Sequence, residues 1–76
     1  MQEREARLLL ESHDLKTVVV EPSTENSGWL IRIIDKNDKD QYLVSKRSTD
    51  PRVFKTSDAA LRCCVRIGFN QVEVRV

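Results

Sequence analysis

The chain has 76 residues, with 13 lysines and arginines against 12 aspartates and glutamates, a net charge of +1. One small domain of α+β class is expected. Near-neutrality argues against a strongly basic nucleic-acid protein and against an acidic DNA mimic, although a local patch stays open. No apolar run approaches the ~18 residues of a membrane helix, and Leu8-Leu9-Leu10, flanked by acidic residues, is too short for a signal core. A soluble, cytoplasmic protein is expected.

A domain of this size buries only about 60% of its unfolded surface, so roughly 3–5 kcal/mol of stability is expected from its core. Self-association would bury apolar area that a lone domain leaves wet, and a homodimer is the expected partner.

Residues 2–13 favour a helix. Glu3 and Glu5 suit its positive N-terminal end and His13 its C-terminal end. Ala6, Leu9, Leu10 and His13 fall on one stripe at helical spacing. Three consecutive leucines exceed what one narrow stripe buries, so Leu8 is a candidate for a protein interface. Residues 16–21 are β-branched and read as a strand that Pro22 closes. A turn-rich link follows, with Gly28 available for a positive φ. Residues 29–35 form a second strand. Trp29, Ile31 and Ile33 point one way and Leu30, Arg32 and Ile34 the other, a pattern that suits a central strand. Trp29 is either a half-buried lid or an interface anchor.

Residues 36–40 read as a charged hairpin tip. Asp35, Asn37, Asp38 and Asp40 lack the spacing of a calcium loop, because Lys39 and Asp40 occupy positions that loop gives to a ligand and to glycine. A third strand spans residues 41–46, with Tyr42 and Val44 on one face and Leu43 on the other. Ser48, Thr49, Asp50 and Pro51 then make a loop. Thr56-Ser57-Asp58 caps a second helix, whose apolar stripe is Ala60, Cys63, Cys64 and Ile67 with Leu61 at its shoulder. Gly68 fits the left-handed stop and Phe69 packs back. In residues 71–76, Val72, Val74 and Val76 line one face and Gln71, Glu73 and Arg75 the other. The order is therefore α-β-β-β-α-β, one mainly antiparallel sheet of three or four strands against two helices. The fourth strand follows a helical crossover, which permits a parallel neighbour.

Cys63 and Cys64 are adjacent, and their side chains diverge by about 100° in a helix. They read as small buried hydrophobes in a reducing compartment. His13, the only histidine, completes no hydrolytic signature. With two glycines in the chain and no phosphate loop or metal motif, no enzyme activity, cofactor or small-molecule substrate is expected. Lys46, Arg47, Arg52 and Lys55 form the densest basic cluster, and Arg62 and Arg66 extend it along the second helix. Facing one way, these six would meet a phosphate backbone.

The run Val53-Phe54-Lys55-Thr56-Ser57-Asp58-Ala59-Ala60-Leu61, followed by Ile67-Gly68-Phe69 and Val72-Glu73-Val74, resembles small partition-associated and accessory proteins of bacterial plasmids and integrated elements. The resemblance spans residues 29–76. It implies a non-enzymatic accessory protein of a mobile genetic element, acting through protein contacts, for which Leu8, Trp29 and the outer face of strands two and three are the candidates. The alternative is a nucleic-acid-binding module using Lys46, Arg47, Arg52, Lys55, Arg62 and Arg66. The order α-β-β-β-α is similar to that of double-stranded RNA-binding domains, whose last helix opens with lysines against phosphates. Here Lys55 stands alone and Asp58 follows it.

Overall fold

A computed structural model describes residues 1–25, 27–47 and 49–76; Asn26, within the turn-rich link, and Ser48, one of the expected loop formers, lie outside the described residues. The element order is the expected one: α1 (Glu3–Glu11), β1 (Leu15–Pro22), β2 (Trp29–Asp35), β3 (Asp40–Tyr42), α2 (Ser57–Ile67) and β4 (Glu73–Val74). The sheet runs β3-β2-β1-β4. Two of its pairings are antiparallel, and β4 lies parallel to β1, as a crossover through α2 allows.

The pairing of β1 with β2 sorts the two faces. Val18 opposes Ile33 and Val20 opposes Ile31 on the inner face; Thr17 opposes Ile34, Val19 opposes Arg32 and Glu21 opposes Leu30 on the outer. The inner residues and Leu43 join Ala6 of α1, Ala60, Cys63, Cys64 and Ile67 of α2, and Phe54 and Phe69 in a single buried cluster. Both helices therefore cover the same face. Trp29 is half-buried and packs against this cluster. Val19 is also fully buried, although it lies on the outer face, between Arg32 and Glu73 across the two ladders.

Helix α2 forms where local chemistry starts and stops it. The Thr56 hydroxyl accepts from Ala59 N at 3.1 Å, which satisfies one of the helix's orphan amides. Gly68, at φ 115°, closes the other end in the left-handed region, its N–H donating to Cys64 O at 3.1 Å. Phe69 N donates to the same carbonyl, which turns its ring into the core. The four stripe residues of α2 are all buried. Helix α1 is held differently: Gln2 N–H donates to Glu5 Oε1 at 3.3 Å. Met1 spans the helix layer and the sheet, its N donating to Tyr42 O and its O accepting from Val44 N.

Four expectations change. His13 is not on the α1 stripe: it lies beyond the Ser12 cap, exposed, at φ 61°. Strand β3 stops at Tyr42 rather than residue 46, because Leu43 O turns to accept from Arg52 N and Val44 N donates to Met1 O. Strand β4 is two residues long, and Val74 and Val76 stay exposed. Gly28 is required for space rather than for a positive φ: a Cβ there would sit 2.3 Å from Val53 Cγ1 and 2.8 Å from Phe54 O. No helix among the described residues is long and apolar enough to cross a membrane.

Candidate functional site

The first turn of α1 and the outer side of α2 meet along a seam, and the loop carrying Arg52 closes it. Glu3 stands at the centre. Arg66 Nη2 lies 3.0 Å from both Glu3 carboxylate oxygens, and Arg52 Nη1 donates to Glu3 Oε2 at 3.3 Å. The Arg52 guanidinium also stacks on the Phe54 ring, 4.7 Å from its centroid, a favourable contact of a cation with a π-face. Arg7 works at the far end of the seam, where its Nη2 donates to Arg66 O at 2.9 Å and its Nε to Ile67 O at 3.3 Å. Those are C-terminal carbonyls of α2, the end that favours a cation.

Two open grooves run off this seam. One, of ≈ 450 Å³, is lined by Arg52, Arg62, Arg66, Asp58 and the edge of Phe54. The other, of ≈ 580 Å³, is lined by Arg4, Lys46, Glu3 and again Arg52 and Arg66. Together they present five cationic side chains and two carboxylates, an excess of three positive charges on one face. The whole chain carries an excess of one, so the remaining surface is net acidic. Arg66 and Arg52 are held in place by Glu3 while parts of their guanidinium forks remain exposed.

Of the six basic residues singled out in the sequence, Lys46, Arg52, Arg62 and Arg66 come together here. Arg47 and Lys55 are exposed but line neither groove. Glu3 and Arg4 were not singled out. Glu3 lies 63 positions from Arg66, and no local pattern announces a pair so distant. The candidates for a protein interface fall on separate surfaces. Leu8 is exposed on α1, Trp29 packs on the core beneath the helices, and the outer faces of β2 and β3 lie on the far side of the sheet.

The thiols are inward. Cys63 is nearly fully buried, with Arg66 Nη2 3.6 Å from its Sγ. Loss of solvent raises its pKa, and the nearby Glu3 carboxylate adds to the rise. Burial pushes the Cys64 thiol up to about 11. Neither thiol has the lowered pKa that makes a cysteine a nucleophile or a ready metal ligand at neutral pH. At the hairpin, Asp35 Oδ1 accepts from the backbone N–H of Asn37 and of Lys39, at 2.8 and 3.1 Å, so this carboxylate is engaged in holding the turn.

The outer face of the sheet has a different character. Arg32 Nε lies 2.9 Å from Glu21 Oε1 without the alignment of a hydrogen bond, and Arg32 Nη1 reaches Asp40 at 3.3 Å. Leu30, Ile34 and Tyr42 surround this pair, each half-buried.

Comparison of the chain with protein-family models, curated proteins and solved structures gives no match.

Proposed function

We propose that this chain is a non-enzymatic binding module whose α1–α2 face meets the phosphate backbone of a nucleic acid in the cytoplasm. The observation that carries this reading is the convergence of Arg4, Lys46, Arg52, Arg62 and Arg66 on two adjoining grooves in an otherwise net-acidic protein. Segregated charge of this kind creates a local potential that net charge conceals. Arginine forks match phosphate oxygens in pairs, and such contacts supply affinity without reading sequence. The setting suggested by residues 29–76 is an accessory protein of a bacterial mobile element, where a small module that binds nucleic acid without chemistry would serve.

The test is an anisotropy titration of labelled duplex DNA and duplex RNA at 50 and 200 mM salt. Three to four phosphate contacts predict a loss of affinity of roughly 40- to 150-fold between the two. Absence of binding at the lower salt would overturn the proposal.

One observation favours a second reading, protein contact. Leu30, Ile34 and Tyr42 share the sheet face that neither helix covers. If nucleic acid fails to bind, this face is where an accessory protein would be met.

A further inference from the structure

The two edges of the sheet are treated differently. Strand β3 is shielded by Met1, which bonds to Tyr42 O and Val44 N. Strand β4 ends the sheet at the other side. Its ladder to β1 runs through the odd-numbered residues, with Arg75 N donating to Val20 O at 2.9 Å. Alternation in a strand then turns the backbone N–H and C=O of Val72, Val74 and Val76 toward the open edge. An open edge with apolar side chains is a template for another strand. Val74 and Val76 are exposed, while Val20, the neighbour of Val74 on the inner face, is fully buried.

We propose that a second copy of this chain pairs antiparallel with β4, the two-fold axis passing at Val74. In that register Val74 faces Val74 of the second copy and Val72 faces Val76, all with edge-directed backbone groups, so the ladder closes. On the outer face Glu73 of each copy then lies opposite Arg75 of the other. Opposite charges directly across an antiparallel pair are favourable and like charges are not. An axis lying between two residues sets odd residues against even ones and leaves the edge groups mismatched, and an axis at Glu73 or at Arg75 keeps the backbone match but sets that residue opposite its own like charge. An axis at Val72 keeps the backbone match but puts Glu73 opposite Gln71 and leaves Arg75 without a carboxylate. The sequence Val72-Glu73-Val74-Arg75-Val76 is thus self-complementary about its centre, as an isologous contact requires. Within one copy Arg75 Nε already bonds Glu73 Oε2 at 2.6 Å on this exposed face, and the pair is close enough to exchange partners.

The pairing continues the valine row across the axis, from Val20 through Val74 of one copy to Val74 and Val20 of the other. It yields an eight-stranded sheet with all four helices on one face, and it leaves the basic seam of each copy free. It stands independently of nucleic-acid binding.

Sedimentation equilibrium of the wild-type chain, of Glu73→Arg, of Arg75→Glu and of an equimolar mixture of the two variants tests the register. Both substitutions lie on an exposed face, and circular dichroism checks that the fold persists. Each variant alone sets like charges across both symmetric pairs, which predicts a dimer dissociation constant raised about tenfold. The mixture restores opposite charges at every pair and predicts a heterodimer at least as tight as the wild-type dimer. A wild-type chain that stays monomeric up to millimolar concentration would overturn the proposal. So would a dimer indifferent to both substitutions, because the contact would then lie elsewhere.

Discussion

Glu3 and Arg66, 63 residues apart, form a two-pronged ion pair across the α1–α2 seam, with Nη2 3.0 Å from each carboxylate oxygen. If the seam binds nucleic acid as proposed, this carboxylate stands where a phosphate would be held between Arg66 and Arg52. It positions both guanidinium groups and also competes for them. Replacing Glu3 by Gln keeps the shape and removes the competing charge. The expected outcome is a several-fold gain in affinity for duplex nucleic acid in the same titration, with a cooperative unfolding curve retained, since exposed pairs of this kind contribute little to stability. Weaker binding by Glu3→Gln would show that the carboxylate is needed for positioning more than it competes.

The geometry separates residues that the sequence grouped. Arg62 lines the groove beside α2; Arg47, in the same basic set, lines neither groove. Arg62→Ala should lower the slope of log affinity against log salt by about 0.9, the loss of one phosphate contact. Arg47→Ala should leave that slope unchanged. Equal effects from the two substitutions would mean that the whole cationic loop, rather than the seam, attracts the ligand.

Gly28 stands where the backbone of the Phe54 segment comes closest. Trp29 N donates to Phe54 O at 2.8 Å and Phe54 N to Trp29 O at 2.9 Å, so that carbonyl cannot retreat from a new Cβ without breaking a bond of the bridge. Gly28→Ala should therefore cost about 1–3 kcal/mol, the range for overpacking, read as a lower urea midpoint with an unchanged slope. A midpoint equal to wild type would mean that the link moves freely.

The buried thiols predict an alkaline weakness. Burial raises the Cys64 pKa from an ordinary 9.0 to about 11, and the Cys63 pKa is raised in the same direction. The folded state thus holds protons that the unfolded state releases as pH passes about 9. Stability is fully present below that pH and is lost as pH rises toward 11. On the order of 2 kcal/mol should disappear between pH 8.5 and 11, measured by urea unfolding under reducing conditions. Cys63→Ala/Cys64→Ala, though less stable at neutral pH, should lose this part of the pH dependence. A thiol reagent at pH 7.5 should react only at the rate of global unfolding.

Much of the fold was legible because its signals are local. The α2 stripe Ala60, Cys63, Cys64 and Ile67 repeats at helical spacing, Thr56 and Gly68 mark its ends within a residue or two, and Trp29, Ile31 and Ile33 alternate with Leu30, Arg32 and Ile34. Legibility fails where a distant partner decides. Strand β3 is cut short by Met1 and Arg52, which take the backbone groups of Val44 and Leu43. His13 falls off the α1 stripe because the chain turns at Ser12 to enter β1. Gly28 is needed for a close approach of Phe54, 26 residues later, which no turn rule foresees. In the site, Arg62 and Arg66 share a helix face by their spacing of four, so their grouping was readable. Glu3 and Arg4 entered only when α1 docked on α2.

The proposed function makes the α1–α2 seam, and not the bare sheet face, the binding surface. A ¹H–¹⁵N correlation spectrum of the labelled chain, titrated with a short duplex at low salt, separates the two surfaces residue by residue. Binding at the seam shifts the amides of Arg4, Lys46, Arg52, Arg62 and Arg66 and their neighbours, while those of Leu30, Arg32, Ile34 and Tyr42 stay still. Shifts confined to that second group would contradict it.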